Sequence, residues 1–80
     1  METNIGKHIR FLRNQREETL HNVSMGTDID SPLLSKIERG ERTAKREQVT
    51  QLSRIYKVPE EDLLSLWLAD KVYEVVKDED

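Results

Sequence analysis

The chain has 80 residues, of which 35% are hydrophobic and 36% charged; its formal net charge is −3 and it has no cysteine. A chain of this length buries about 60–65% of its unfolded surface, which allows one core but no large active-site cavity beside it. A disulfide framework and a thiolate metal site are excluded, and no apolar run approaches the roughly 20 residues of a membrane span. We therefore expect one domain, residues 1–80, in a cytoplasmic protein.

The charge is unevenly distributed along the chain. Residues 1–57 carry eleven Lys/Arg against eight Asp/Glu, a net of +3, whereas residues 58–80 carry two against eight, a net of −6. Binding to DNA depends on local basic surface rather than on the charge of the whole molecule. The acidic total is thus compatible with a nucleic-acid partner, and ordinary charge scatter is the alternative interpretation.

The spacing of apolar residues predicts five helices and no strand. Thr3 or Asn4 can cap the first helix, whose apolar face carries Ile5, Ile9 and Leu12. This helix is expected to end near residues 14–15, before a polar connection.

The next segment predicts two short helices with a tight turn between them. Thr19 is a suitable N-cap for the second helix, and Ile29 is an isolated apolar residue that would pin the turn to the core. Asp30 or Ser31 caps the third helix, and Gly40 ends it in the left-handed conformation. The inward stripe of the third helix consists of Leu34 and Ile37.

The last two helices differ in their apolar patterns. The fourth has Val49, Leu52 and Ile55 at spacings of three on its predicted buried face. A fifth helix over residues 59–78 has too many large apolar residues for one stripe, so one face should complete the core and the other should contact a second copy. The predicted dimer contacts are Leu66, Trp67, Val72, Tyr73 and Val76.

Two short helices separated by about three residues, the second capped and basic, are typical of a helix-turn-helix, which places its second helix in the major groove of DNA. Small helical bundles of other function share short helices and tight turns. Geometry alone therefore leaves both interpretations open.

The run LSKIERG at residues 34–40 resembles the signature of the Cro/cI-type (XRE) helix-turn-helix family. The opening segment IGKHIRFLR, residues 5–13, is similar to the first helix of that family, and the resemblance covers residues 4–66. Ser24 and Asp28 stand where the family commonly has Ala and Gly; Asp tolerates left-handed backbone better than most residues. The resemblance implies an all-α, five-helix, phage-repressor-like DNA-binding domain, with helices one to four over residues 4–57 and an extended C-terminal helix.

The resemblance also implies roles for individual residues. An ion pair between Arg13 and Glu38 would brace the recognition helix, residues 31–39, and its role would be structural. Lys36 could donate to a guanine, and Leu33 would either touch a thymine methyl or be a partly covered rim residue. The predicted base-reading residues are Ser31, Pro32, Leu33 and Lys36. The predicted phosphate contacts are Thr19, Arg39, Arg42, Lys45 and Arg46, for which a plain solvated charged face is the competing interpretation.

The resulting functional hypothesis is a homodimeric transcriptional regulator that occupies a pseudo-palindromic double-stranded DNA operator, as phage repressors and restriction-modification controller proteins do. The alternative is a protein-interaction module, such as an antitoxin, with secondary DNA binding. We expect no enzyme, because the sequence lacks a phosphate-cradling glycine loop, a zinc-type His-Glu spacing and a nucleophile elbow. No metal is expected at His8 and His21, and no cofactor, small-molecule ligand or membrane partner is evident.

Overall fold

The computed structural model describes residues 3–77, with side chains through Val75. The regular structure in that range is helical throughout, which confirms the predicted all-α, five-helix fold. The helices are α1 Asn4–Gln15, α2 Leu20–Met25, α3 Ser31–Glu38, α4 Arg46–Tyr56 and α5 Glu60–Lys77. In the packing, α3 lies against α1 and α2, while α5 lies against α4 and α1.

Local sequence signals fix where the helices begin and end. Thr3 caps α1, since its Oγ1 accepts a hydrogen bond from the backbone N–H of Gly6 at 3.0 Å. At the start of α4, the side chain of Gln48 accepts from the backbone N–H of Lys45 at 2.8 Å. Gly40 has φ 77°, so the chain leaves α3 through the left-handed conformation as predicted.

One core lies between the five helices. The apolar stripes of α1 and α3 supply its centre, and the isolated Ile29 is 1% exposed, which confirms that it pins the turn between α2 and α3. The buried core residues are Ile5, Ile9, Leu12, Val23, Ile29, Leu34, Ile37, Ala44, Val49, Leu52, Tyr56 and Leu63.

The predicted buried face of α4 was wrong at one position. Ile55 is only partly buried, and Tyr56 takes its place in the core at 1% exposure. At 3.6 residues per turn, the six residues from Val49 to Ile55 rotate the helix by about 120° away from the starting face, whereas seven residues return it to within about 20°. The buried stripe therefore runs through Val49, Leu52, Ser53 and Tyr56.

Two connections adopt left-handed backbone at residues other than glycine. Glu17 has φ 54° between α1 and α2, and Lys57 has φ 57° where it ends α4. Asp28 is not among the residues with positive φ, although it stands where the resembled family commonly has glycine. The turn between α2 and α3 is thus built without left-handed backbone at that position.

Two long-range contacts fasten α5 to the rest of the domain. The carboxylate of Asp70 accepts from the backbone N–H groups of Asn4 at 2.9 Å and Ile5 at 3.0 Å, and so caps the first turn of α1 from another helix. The indole Nε1 of Trp67 donates to the carbonyl oxygen of Ala44 at 2.7 Å. Within residues 3–77, no helix combines the length and the apolar character needed to cross a membrane.

Candidate nucleic-acid interface

The two short helices α2 and α3 are each capped by a side chain. Thr19 Oγ1 accepts from the backbone N–H of Asn22 at 3.1 Å, and Asp30 Oδ1 accepts from that of Leu33 at 2.8 Å. Asp30, rather than Ser31, is therefore the N-cap of α3. Pro32 falls in the first turn of α3, where its missing N–H leaves no hydrogen bond unmade.

The turn between α2 and α3 is tied to α4 by a pair of hydrogen bonds. Gln51 accepts from the backbone N–H of Asp28 at 2.7 Å and donates through Nε2 to the Asp28 carboxylate at 2.9 Å. Thr27 Oγ1 donates to the carbonyl oxygen of Val23 at 3.1 Å and accepts from the N–H of Ile29 at 3.2 Å. These bonds fix the orientation of α3 relative to the scaffold, and no sequence pattern indicated the Gln51 contact.

The four predicted base-reading residues all lie within α3 and differ in exposure. Pro32 and Lys36 are exposed and, being four residues apart, lie on the same face. Ser31 and Leu33 are half-buried, and Leu33 packs against the core, so only the outer part of its side chain is accessible. The accessible outer part of Leu33 leaves both predictions for it standing, the thymine-methyl contact and the partly covered rim residue.

A chain of hydroxyl groups runs behind Ser31. Its Oγ lies 3.2 Å from the Oγ of Ser24 on α2, and Ser24 in turn donates to the carbonyl oxygen of His21 at 2.7 Å. From the sequence, Ser24 was noted only as standing where the resembled family commonly has alanine, and the spacing of serines along the chain does not indicate this contact. Met25, next to Ser24, is 75% exposed at the end of α2.

Behind α3, the structure brings Arg13 and Glu38 together. Arg13 donates from Nε at 2.7 Å and from a terminal nitrogen at 3.0 Å to the two carboxylate oxygens of Glu38, and its other terminal nitrogen donates to the carbonyl oxygen of Glu18. The hydrogen bonds to Glu38 raise the pKa of the Arg13 guanidinium, so it stays charged. Because the Glu38 side chain is only 4% exposed, removing its partner should cost up to about 3–5 kcal/mol.

The five predicted phosphate-contacting residues are all exposed, but one of them already forms an ion pair within the chain. Arg39 forms an exposed ion pair with Glu41, with Nε and the carboxylate 2.8 Å apart. Lys45 and Arg46 lie at the start of α4, and Thr19 lies at the start of α2. The predicted phosphate residues are thus placed at the start of α2 and from the end of α3 through the start of α4: Thr19, Arg39, Arg42, Lys45 and Arg46.

The predicted dimer contacts on α5 divide into two groups. Leu66 and Trp67 are partly buried against the core, and the ammonium of Lys71 lies 4.5 Å from the centre of the Trp67 ring. Val72 and Tyr73 are 61% and 55% exposed. The Val76 side chain lies outside the described residues.

No group of three or more metal-binding side chains occurs among the residues that the structure describes. His8 is half-buried and stacks on Phe11, with ring centroids 6.1 Å apart, whereas His21 is exposed. The surface that this region presents to a ligand is the exposed face of α3, with exposed lysine and arginine side chains next to it in the chain.

Comparison with known proteins agrees with this geometry. A family model described as a helix-turn-helix domain matches residues 6–74. The chain is similar to RghRB of Bacillus subtilis (strain 168), described as an uncharacterized HTH-type transcriptional regulator, with 36% identity over 61 residues. That match covers 75% of this chain and 44% of the relative, so the chain spans less than half of the relative's length. No solved structure matches the chain.

Proposed function

The chain belongs to the XRE-like helix-turn-helix family, and from that premise we propose that it binds double-stranded DNA sequence-specifically and regulates transcription by occupying an operator. In this proposal α3 is the recognition helix and enters the major groove. The base-reading set is Ser31, Pro32, Leu33 and Lys36.

The observation that carries the proposal is the bracing of α3. The bidentate Arg13–Glu38 ion pair holds the end of α3 against α1, and the Asp30 cap fixes its start, while Pro32 and Lys36 remain exposed. A helix that is held rigidly on its inner side and left open on its outer side keeps the accuracy that base reading requires. The basic balance of residues 1–57 supplies the attraction to phosphate.

The proposal extends to a homodimer formed through α5. The exposed apolar side chains of Leu68, Val72 and Val75, at helical spacings of four and three, share one outward face of α5, which no element among residues 3–77 covers. Tyr73 is exposed beside this face. A two-fold dimer would place two recognition helices about 34 Å apart, one turn of DNA, and so would require a pseudo-palindromic operator.

Selection of bound sites from a random DNA pool tests base reading. We expect the wild-type chain to enrich a defined sequence and Lys36→Ala to lose preference at one base position, at a cost of about 1–3 kcal/mol there. The matched control is Lys7→Ala, which removes the same charge from an exposed position on α1 beside Leu66 of α5. An equal loss of affinity for every sequence with Lys36→Ala would contradict its assignment to base reading.

The phosphate set is tested separately by salt dependence. Replacing Arg42 and Arg46 by glutamine should weaken binding to all sequences alike and reduce the slope of log affinity against log salt by about one for each arginine that touches a phosphate. Affinities of the wild-type chain, this double variant and Lys7→Ala would be measured over a range of salt concentrations. An unchanged slope would remove both arginines from the phosphate set.

A second candidate function is a protein-interaction module, such as an antitoxin, in which DNA binding is secondary. The exposed apolar face of α5 in an acidic segment favours it. Light scattering and DNA titration at low salt distinguish the two candidates. A monomer without DNA affinity would support the interaction module and contradict the regulator.

A further inference from the structure

The serine at the start of α3 is held in a hydrogen-bonded chain that determines what it can offer to a base. A serine hydroxyl has one proton to donate and two lone pairs that accept, so a free serine reads either donors or acceptors on a base edge. The direction of the bonds behind Ser31 removes this ambiguity.

The direction follows from the last member of the chain. The carbonyl oxygen of His21 can only accept, so the 2.7 Å contact commits the single proton of Ser24 to that carbonyl. Ser24 therefore meets Ser31 with lone pairs only. In the 3.2 Å contact between the two hydroxyl oxygens, Ser31 must be the donor.

Ser31 thus has its proton directed inward and a lone pair left for its accessible side. It is the first residue of α3, half-buried, and adjacent to the exposed Pro32. In the major groove, adenine and cytosine present exocyclic amino donors, whereas guanine and thymine present acceptors at the corresponding edge. To contact an acceptor, Ser31 would have to give up its bond to Ser24.

We propose that Ser24 is a positioning residue that makes Ser31 an acceptor towards DNA, so that Ser31 selects a base with an exocyclic amino group, adenine or cytosine. This inference rests on the proposed function, with α3 in the major groove. Because 3.2 Å is long for a bond between two hydroxyl groups, the expected loss of affinity when the contacted strand lacks that amino group is about two- to fivefold.

The test compares the sequence preferences of serine variants of the full chain. Ser31→Ala identifies the base position that Ser31 reads, because preference there should flatten while the other positions keep theirs. Every base pair contains one base with an exocyclic amino group, so that group is then removed at this position, with purine in place of adenine or 2-pyrimidinone in place of cytosine. The affinity of the wild-type chain should fall about two- to fivefold, whereas Ser31→Ala should bind both duplexes alike. Ser24→Ala frees the Ser31 hydroxyl to rotate, so the ratio of the affinities for duplexes with and without that amino group should fall towards one, without change at other positions.

Two controls separate this role from a structural one. Ser53→Ala removes the same kind of bond, from a serine to the carbonyl oxygen three residues earlier at 2.7 Å, but on α4. It should leave every preference unchanged. In the Ser31→Ala background, Ser24→Ala should have no further effect on base preference, because the two residues act through one contact. Alanine favours helix, so α2 is expected to stay folded in Ser24→Ala, as circular dichroism can verify.

Four results would overturn the inference and leave DNA binding by the chain standing. They are an unchanged affinity when the amino group is removed from the base pair that Ser31→Ala identifies, no flattened position in Ser31→Ala, an unchanged ratio in Ser24→Ala, and an even loss of affinity for all sequences in Ser24→Ala. A wild-type chain that enriches no sequence at all would instead overturn the proposed function, and this inference with it.

Discussion

At the scale of single residues, Tyr56 combines a buried hydroxyl with structural contacts made by its ring and backbone. The residue is 1% exposed, and its hydroxyl has no hydrogen-bond partner among the described residues. Arg16 donates to its carbonyl oxygen at 2.7 Å and lies 5.7 Å from the ring centre, within reach of a cation–π contact. Burial is the main cause that raises the pKa of the Tyr56 phenol in the folded protein.

The raised pKa of Tyr56 predicts a loss of stability at alkaline pH. In the unfolded chain tyrosine ionises with a pKa of about 10, whereas the folded chain keeps this phenol neutral to higher pH. The stabilising contribution is therefore fully present below about pH 10 and declines as the pH rises above that value. Tyr56→Phe should remove this decline and, because it also removes an unsatisfied buried hydroxyl, should raise the free energy of unfolding by about 1 kcal/mol near neutral pH.

Urea unfolding of the wild-type chain and of the variant at several pH values between about 8 and 11 measures both effects. A parallel decline in Tyr56→Phe would show that other groups cause the alkaline loss.

At the scale of helices, α3, the proposed recognition helix, is held against α1 by backbone proximity as well as by the ion pair. A Cβ added at Gly6 would lie 2.6 Å from the carbonyl oxygen of Ile37 and 2.7 Å from that of Glu38. Those oxygens belong to the last turn of α3, which cannot move alone. At Gly26 the added Cβ would instead meet the terminal carbon of the Ile55 side chain at 2.6 Å, which can rotate away.

We therefore predict that substitution by alanine lowers the free energy of unfolding more at Gly6 than at Gly26. Gly6→Ala should lower the free energy of unfolding by about 1–3 kcal/mol, because α1 and α3 must separate to admit the methyl group. Gly26→Ala should cost much less, since a flexible side chain yields and alanine reduces the entropy of the unfolded chain. Thermal unfolding of both variants compares them directly, and equal midpoints would show that the α1–α3 approach is not tight.

At the scale of the whole molecule, charge and apolar surface are separated. The net positive charge belongs to residues 1–57, which contain α1 to α4, and the acidic excess belongs to the segment that contains α5. The exposed apolar side chains of α5 lie in that acidic segment, whose negative charge repels phosphate. A protein partner suits this surface better than DNA does, and the proposed partner is a second copy of the chain.

Val72→Glu tests the proposed dimer. A charge placed on this 61% exposed position should convert the dimer to a monomer by light scattering, because the interface would have to bury an unpaired carboxylate. Affinity for a complete two-half-site operator should fall strongly, while affinity for an isolated half-site should stay close to that of the wild-type chain. Unaltered mass and operator affinity would exclude this face of α5 from the interface.

Local sequence signals were sufficient to predict the helical class, the cap Thr19, the left-handed end at Gly40 and nearly all of the buried apolar stripes, and they narrowed the cap of α1 to Thr3 or Asn4. These features depend on interactions within about four residues along the chain, which is the reach of helical periodicity and capping. The error on α4, Ile55 in place of Tyr56, came from extending a spacing of three beyond one turn.

Only the tertiary structure shows the hydrogen bonds that connect one helix to another. The Asp70 cap of α1 spans 65 and 66 positions of sequence, the Gln51–Asp28 contact spans 23, and the Ser31–Ser24 contact joins two helices across a turn. The physical reason is that hydrogen bonds between side chains depend on the positions of both partners in space. Residue type and spacing restrict such bonds too weakly to select one pair among the many polar residues of a chain that is 36% charged.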